Sequence, residues 1–333
     1  LAHMDTAYNR LLEDAYRISP LTLGDAGAAG GIHKRWRVAE AHLRVVGFEP
    51  DARSLQETKA HSPSHYIYLA TGLYNKAGTL TLYQAKTKTD SSLLKPLMPF
   101  LGKFPKAERF ETVSTVPMQV DRLDTALARA GIDDVDCIKI DTQGSELYIL
   151  QGAVEALSRA SGVEVEVEFT ALYENQPLFA EVDSLLRSAG FHLFDLAPVY
   201  WKRKIGKNIG RSKGQIIYAD ALYLKDPEVI TRVYDREDLR KAKLLKAIFI
   251  ATLYGYFDFA LEIAKIVAPM MKPEEYRTLT EGICAKGEIS SRLSYVWGKK
   301  SIGRTLRKVA RAVDPDPGVW QLADSILGNV GER

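Results

Sequence analysis

Cysteine, long apolar runs and net charge are scarce in this sequence of 333 residues. Its two cysteines, Cys137 and Cys284, are too few for a disulfide framework or a zinc knuckle, and they suit a reducing compartment. The most apolar stretch, residues 244–256, is shorter than the roughly 20 residues that span a bilayer. No signal segment opens the chain, and the net charge of +3 argues against a nucleic-acid partner. We therefore expect a cytoplasmic globular protein.

The composition is otherwise ordinary, with 46% hydrophobic and 26% charged residues. Those fractions exclude a disordered, collagen-like or coiled-coil chain. The length fits one large domain or two. Residues 1–4 resemble a cloning remnant and take no part in the interpretation of the fold.

Strand-like and helix-like stretches alternate along residues 5–225. The predicted strands are 21–23, 45–48, 66–70, 78–85, 113–120, 137–141, 163–169, 192–196 and 216–224, and the predicted helices are 123–130, 145–159 and 177–189. Such alternation predicts an α/β fold with a doubly wound, mostly parallel sheet.

Beyond residue 226 the spacing of apolar residues is helical throughout. We therefore predict a domain boundary near residue 226, followed by an all-α C-terminal domain over 226–333. Within it, residues 244–267 have the pattern of a helical hairpin that turns near 255–258. The apolar face of this hairpin forms either the core of the helical domain or a homo-oligomer contact.

A glycine-rich loop follows the first predicted strand. Asp25, Gly27, Ala28 and Gly31 lie in this loop, where small residues allow the backbone to approach a ligand closely. Glu49 ends the second predicted strand and could accept hydrogen bonds from the ribose hydroxyls of a nucleoside. The pattern suits either NAD or S-adenosylmethionine. We favour S-adenosylmethionine, because an acid at the start of the loop suits a cationic amino-acid group better than a pyrophosphate.

Nine short motifs extend this interpretation over residues 20–225. They are DAGAAGG at 25–31, FEP at 48–50, SSL at 91–93, LD at 123–124, IKIDTQGSE at 138–146, LQGA at 150–153, EVEFTALYENQPLF at 166–179, GF at 190–191 and DALY at 220–223. In this order they resemble the FkbM family of S-adenosylmethionine-dependent methyltransferases. The resemblance implies a Rossmann-like class I methyltransferase sheet. It also implies methylation of a hydroxyl on a sugar, a glycan or a natural product.

Two positions depart from the family pattern. Ala29 stands where the family often has Asn, and Gln143 stands where it has the first acid after the strand. If the family's acid were a base or a ligand, that role would be in doubt here. The second departure keeps open a non-catalytic scaffold that binds a partner.

Asp141 is the main catalytic candidate, because it ends a central strand of the sheet and should face the crevice. It could act as general base on the acceptor hydroxyl, polarise that hydroxyl, or hold a divalent ion; alternatively it caps the helix that starts near Ser145. Lys139 points to the same side of the strand and could pair with Asp141. His33, beside the glycine loop, is the histidine best placed to be a base.

Three glutamates, Glu164, Glu166 and Glu168, share one face of their strand. In an interior strand at least one of them should meet a cation or a substrate. We name Glu166 as a catalytic candidate and Glu168 as a substrate contact. Asp141, Glu166 and Glu168 together could bind Mg²⁺ or Ca²⁺, an option that we do not favour.

Further candidates for contact with the acceptor are Gln143, Tyr173 and Gln176; Tyr173 could equally be plain core. Residues 201–215 contain six cations and no acid, which indicates a mobile flap over an anionic acceptor, or else a solvated loop. Within this flap we single out Lys202 and Arg203. Residues 300–311 have the spacing of a basic amphipathic helix, which either packs on its own domain or rests on the inner face of an anionic membrane.

Overall fold

The computed structural model describes residues 2–209, 213–292 and 321–323. Its strands are β1 (Leu21–Ala26), β2 (Leu43–Phe48), β3 (Ile67–Leu69), β4 (Gly72–Leu73), β5 (Gly78–Ala85), β6 (Thr112–Asp121), β7 (Cys137–Ile140), β8 (Gly162–Glu168), β9 (Phe191–Trp201), β10 (Gln215–Lys225) and β11 (Gln321–Ala323). Its helices are α1 (Ala2–Ile18), α2 (Ala52–Ala60), α3 (Met98–Leu101), α4 (Leu123–Arg129), α5 (Glu146–Gln151), α6 (Val154–Arg159), α7 (Phe179–Ser188), α8 (Pro227–Arg232), α9 (Glu237–Leu253), α10 (Phe257–Val267) and α11 (Pro273–Arg292).

Eight strands form the main sheet, in the order β11-β9-β10-β8-β7-β1-β2-β3. The pairs from β3 to β8 are parallel, whereas β10 runs antiparallel to both of its neighbours. The chain runs outward from β1 to β3 and returns on the other side of β1 as β7. The order therefore reverses between β1 and β7, which creates a crevice at their carboxyl ends. The predicted α/β, mostly parallel fold is confirmed.

Helices cover both faces of the sheet. One face packs on α4 to α7, with Val163, Val165 and Val167 of β8 in its core. The other face packs on α1, α9 and α10, and Leu23 and Ile248 lie in the core that they share. The alternating sequence of β8 explains this arrangement, because its valines face one layer and its glutamates face the other.

Residues 72–121, here called the insertion, leave the main sheet after β3. They include a second sheet of order β4-β6-β5, in which β5 is an edge strand as predicted. Phe104 and Phe110 of the insertion share a small core with Tyr173 and Trp201. The insertion is thereby fixed beside the carboxyl ends of the main strands.

One predicted helix differs in the structure. The helix expected over 145–159 is divided into α5 and α6, because the Asp124 carboxylate accepts hydrogen bonds from the Glu155 and Ala156 N–H groups and begins a new helix. The segment after the glycine loop forms a 3-10 helix, Lys34–His42.

The segment after residue 226 is helical over residues 227–292, but Gln321–Ala323 form β11, which pairs antiparallel with β9 at the edge of the main sheet. The all-α prediction is therefore wrong for these three residues, because their backbone pairs with the edge strand. The predicted hairpin is present as α9 and α10, with the turn at 254–256. The division into two domains at residue 226 stays a prediction, and the basic helix predicted over 300–311 lies outside the described residues. Within the described residues, no helix is both long and apolar enough to cross a membrane.

Candidate active site

A cavity of about 220 Å³ opens at the carboxyl ends of β1, β2 and β7. One wall is made by the glycine loop and the segment after β2, and the opposite wall by the insertion, β9 and β10. The loop after β7 forms the floor between them. Lining residues from the main sheet and its loops include Gly27, Ala29, Glu49, Asp51, Asp141, Thr142, Gln143, Ser145 and Glu166.

The glycine loop is packed tightly against the strands on either side. Gly27 has a φ of +81°, and a Cβ on this residue would lie 1.9 Å from the carbonyl oxygen of Asp141. The N–H groups of Gly27 and Ala28 both donate to the Phe48 carbonyl. Ala28 is fully buried, and Gly31 has a φ of +78°. Only glycine fits at position 27 without moving the backbone of Asp141.

Glu49 directly follows β2 and is buried. Its Oε1 accepts a hydrogen bond of 2.8 Å from the Asp51 N–H, and burial raises the pKa of its carboxyl. Glu49 lines the cavity at the end of β2, where an acid can accept hydrogen bonds from two vicinal hydroxyls. Glu49, the acid predicted to bind the ribose of a nucleoside, therefore lines the cavity together with the glycine loop.

Lys139 lies between two aspartates at the β1–β7 crossover. Its Nζ is 3.5 Å from Asp25 Oδ1 and 3.6 Å from Asp141 Oδ2, and it donates to the Gly27 carbonyl. Burial alone would lower the pKa of Lys139, but Asp25, Asp141 and Glu164 together raise it. Lys139 is thus an ammonium at neutral pH, and the predicted pairing of Lys139 with Asp141 is present.

Asp25 itself is buried, with an exposed fraction of 1%. Burial raises the pKa of its carboxyl to about 6, although Lys139 opposes the shift. Neither carboxylate oxygen has a hydrogen-bond partner within the described residues. Such a carboxyl can receive a donor from a bound molecule.

Gln143 connects most of the remaining candidates. Its Nε2 donates to Asp141 Oδ1 and to Glu166 Oε1, both at 3.2 Å, and its Oε1 accepts from the Tyr173 hydroxyl at 3.2 Å. Its carbonyl accepts from the Ser92 hydroxyl at 2.7 Å. An amide can donate to two carboxylates at once, which a glutamate at this position could not do. The departure from the family pattern therefore supplies a bridge between the two acids.

The two inner glutamates of β8 are strongly perturbed. Burial raises the pKa of Glu166 well above its ordinary value, and Asp141 and Glu168 add to the shift. Burial and the neighbouring Glu146 and Asp141 do the same for Glu168. Glu166 lines the cavity and accepts a hydrogen bond from the Gln143 amide, and its raised pKa favours the protonated form.

Other predicted residues organise the loops. Glu146 accepts from the N–H groups of Thr142 and Gly144 and so fixes the loop that precedes α5, whose N-cap residue Ser145 makes no side-chain capping hydrogen bond. The Gln176 side chain accepts from the N–H groups of Leu172 and Tyr173. Tyr173 is fully buried, and its hydroxyl is hydrogen-bonded to two cavity-lining residues, at Gln143 Oε1 and at the Asp90 carbonyl.

Ten predicted residues do not line the cavity, namely Asp25, Ala28, Gly31, His33, Lys139, Glu168, Tyr173, Gln176, Lys202 and Arg203. His33 is exposed and caps the 3-10 helix, where its Nδ1 accepts from the Arg35 N–H at 3.2 Å. Lys202 and Arg203 line a shallow groove beside the flap instead. The contact of these residues with a substrate stays a prediction.

The insertion contributes residues to the cavity that the sequence did not single out. Arg109 lines it and forms a two-pronged ion pair with the buried Asp90. Lys88 and Phe110 of the insertion and Tyr218 of β10 complete this wall. Among these residues of the insertion, only Ser91 and Ser92 belong to a motif that the sequence analysis noted.

No group of three or more histidine, cysteine, aspartate or glutamate residues in the described part of the chain is arranged to hold a metal ion. Asp141 and Glu166 are instead joined through the Gln143 amide, whose N–H groups occupy the space between their oxygens. The option of a divalent metal at Asp141, Glu166 and Glu168 has no support in this geometry.

Solved structures similar to the chain include several methyltransferases. Magnesium protoporphyrin IX methyltransferase from Synechocystis PCC 6803, with bound SAM, is 10% identical and covers 67% of this chain and 80% of its own, with a TM-score of 0.32. A TehB-like SAM-dependent methyltransferase from Corynebacterium glutamicum is 12% identical over 66% and 88% of the two chains, with a TM-score of 0.30. The N-terminal domain of EvdMO1, with SAH bound, is 10% identical over 67% and 81%, with a TM-score of 0.31.

No curated protein sequence is significantly similar to the chain. The model of the family described as the methyltransferase FkbM domain matches residues 25–193, about half of the chain. This match spans the glycine loop, the Asp141 loop and the insertion between them. The chain belongs to the FkbM methyltransferase family, and it is a methyltransferase that uses S-adenosylmethionine.

Proposed function

We propose that the protein transfers the methyl group to a hydroxyl of a sugar, a glycan or a natural product, with Asp141 as the general base. The observation that carries this proposal is the position of the Asp141 carboxylate. It opens onto the cavity with 41% of its side chain exposed, while Lys139 and Gln143 hold its two oxygens. A base that is held at both oxygens keeps one geometry towards an incoming hydroxyl.

S-adenosylmethionine supplies a methyl group on a sulfonium, and its thioether leaves without needing a proton. The chain has to hold the acceptor oxygen in line and take up the hydroxyl proton. Asp141 takes that proton. Glu166, whose raised pKa favours the protonated form, would donate a hydrogen bond that orients the acceptor while it accepts one from the Gln143 amide.

Two acids of this chain would hold the cofactor. Glu49, which lines the cavity, would accept hydrogen bonds from the ribose hydroxyls. The glycine loop would face its amino-acid end, and Asp25, whose carboxylate is ion-paired with Lys139 but accepts no hydrogen bond within the described residues, would complement the ammonium group. The donor set thus fits a molecule with a vicinal diol at one end and a cation at the other.

The insertion wall supports a sugar as acceptor. It offers hydroxyls and cations beside aromatic rings, the mixture that a sugar with polar edges and an apolar face requires. The residues concerned are Lys88, Ser91, Ser92, Arg109, Phe110 and Tyr218. Lys88 and Arg109 also favour an acceptor with a negative charge, such as a phosphate or a uronic acid.

The test is a screen for transfer of tritiated methyl groups from S-adenosylmethionine to fractionated glycans and lipids of the source cell. We expect label in an ether that resists mild base, since methyl ethers survive conditions that release methyl esters. Calorimetry with S-adenosylmethionine and S-adenosylhomocysteine accompanies the screen. Label on nitrogen, or in base-labile esters alone, would contradict hydroxyl methylation.

A non-catalytic scaffold is the alternative outcome. A scaffold would transfer no label to any fraction, whether or not it bound the cofactor, and it would retain a protein partner. The connected network of Asp141, Gln143 and Glu166 argues against it, because a scaffold has no need of acids with raised pKa values in its cavity.

A further inference from the structure

The flap between β9 and β10 exposes two large apolar side chains. Ile205 is 88% exposed and Ile209 is 81% exposed, more than any other large apolar residue that the structure describes. They stand four residues apart at the tip of the loop, and neither contributes to the cavity. Exposed apolar side chains that are held together in this way mark a surface for an apolar partner.

Cations surround these isoleucines. Arg203 and Lys204 are exposed, and Lys207 is half-buried. The sequence has no acid between Asp195 and Asp220, so no carboxylate of the flap neutralises them. Lys103 of the insertion adds a further exposed cation next to Lys204, because the Lys204 N–H donates to the Lys103 carbonyl at 2.8 Å.

Local contacts hold the isoleucines in place. The Ile209 N–H donates to the Gly206 carbonyl at 2.9 Å, which closes a turn, and Gly206 has a φ of +72°. Arg203 donates to the Gln215 side chain at 2.6 Å and lies over the Phe104 ring, 5.3 Å from its centroid. The base of the flap is therefore fixed to the protein, and its tip points outward.

We propose that this flap surface, formed by Lys103, Arg203, Lys204, Ile205, Lys207 and Ile209, docks on a bilayer that contains anionic lipid. The two isoleucines would enter the interface between headgroups and acyl chains, and the cations would contact lipid phosphates. Charge complementarity selects this partner. A soluble polyanion would use the same cations but would leave both isoleucines in water.

The position of the flap gives the docking a consequence for the active site. Trp201 lines both the cavity and the groove formed by the flap, so the docked surface is a neighbour of the cavity. A protein bound through the flap would present its cavity towards the bilayer. The docking itself does not depend on the identity of the acceptor.

The test is sedimentation of the full chain with vesicles. One set contains equal parts of phosphatidylcholine and phosphatidylglycerol, and the other contains phosphatidylcholine alone. We expect binding to the anionic vesicles only, with an affinity that falls as salt is raised. We expect the I205S/I209S variant and the K204Q/K207Q variant each to lose at least about tenfold in affinity.

Matched variants control for the loss of exposed charge and for the loss of an exposed apolar side chain. K59Q/K265Q removes two exposed lysines elsewhere, and V38S replaces an exposed valine on the 3-10 helix. Both should bind vesicles as the parent does, and all variants should keep the parent's affinity for S-adenosylhomocysteine in calorimetry. The proposal is overturned if the parent fails to bind anionic vesicles, or if the flap variants bind as tightly as the controls. Loss of binding in K204Q/K207Q with full binding in I205S/I209S would indicate a soluble polyanion instead.

Discussion

Two buried clusters of charge lie at opposite ends of β7, and they differ in how well the charge is balanced. Before the strand, Asp136 is fully buried and has two lysines of α9 as partners, Lys243 at 2.6 Å and Lys246 at 2.8 Å. At the carboxyl end of the strand, the Lys139 ammonium group is shared between Asp25 and Asp141, at 3.5 and 3.6 Å.

The difference also appears in the pKa values. Burial alone would raise the pKa of Asp136, but Lys243 and Lys246 lower it below its ordinary value. At the other end, burial and neighbouring acids leave the pKa values of Asp25 and Glu166 raised. The cluster around Asp136, which stabilises the fold, contains its own countercharges. The cluster around Lys139, which faces the candidate ligand site, keeps an excess of acids.

The largest effect is expected for the Asp141→Asn variant, which changes the carboxyl end of β7. We expect methyl transfer to fall about a thousandfold, because asparagine cannot accept the hydroxyl proton. Affinity for S-adenosylmethionine, measured by calorimetry, should stay within a few-fold of the parent. Turnover close to that of the parent would rule out Asp141 as the base.

The Asp136→Asn variant tests the other end. It leaves the buried Lys243 and Lys246 with only the half-buried Asp134 as countercharge, so the free energy of unfolding should fall by about 3 kcal/mol or more. Urea denaturation followed by circular dichroism measures this change. The control is Asp134→Asn, since Asp134 is a half-buried second partner of Lys243 and its loss should cost less. Equal losses in the two variants would contradict the central role of Asp136.

The Gln143→Glu variant restores the acid that the family has at this position. It removes both donors from the bridge and adds a third acid between Asp141 and Glu166. We expect turnover at neutral pH to fall by about tenfold, with the acid limb of the pH–rate profile moved to higher pH. Gln151→Glu makes the same change at an exposed site and should leave the profile in place. An unchanged profile for Gln143→Glu would show that the amide bridge is dispensable.

The Asp25→Asn variant gives the smallest expected effect. The pKa of Asp25 rises from 3.8 in the unfolded chain to about 6 in the fold, so the native state binds its proton more tightly. Its contribution to stability is complete below the lower value and is lost as the pH rises through the higher one. The parent should therefore lose roughly 1 kcal/mol relative to Asp25→Asn between about pH 5 and about pH 7, as measured by urea denaturation. Parallel stability curves would contradict the raised pKa.

The order of strands and helices could be predicted because it follows from local patterns of apolar, polar and turn residues. The strict alternation of Val163 to Glu168 defined β8, and turn residues set the bounds of β5. The break at Gly152 could not be predicted, because it depends on Asp124, a residue about thirty positions earlier that reaches the first turn of α6. The same is true of Asp136, whose partners lie more than a hundred residues away.

The candidate site was predictable where a motif marked the end of a strand. Glu49 and Asp141 line one cavity, and Asp25 is joined to Asp141 through Lys139, because the carboxyl ends of parallel strands share one edge of the sheet. Arg109 and Tyr218 were missed, since only tertiary packing of the insertion brings them to the cavity. His33 was singled out by closeness along the chain, but its ring is turned to cap the 3-10 helix.

The close contact between Gly27 and Asp141 has a practical consequence for engineering. Because any side chain at position 27 would collide with the backbone that carries the base, a substitution meant to alter the cofactor pocket would also displace the catalytic carboxylate. Selections for relaxed donor specificity should therefore recover few substitutions at this position. Efforts to accept bulkier sulfonium donors will find more freedom at Ala29 and Ser54, which line the same cavity without bearing on Asp141.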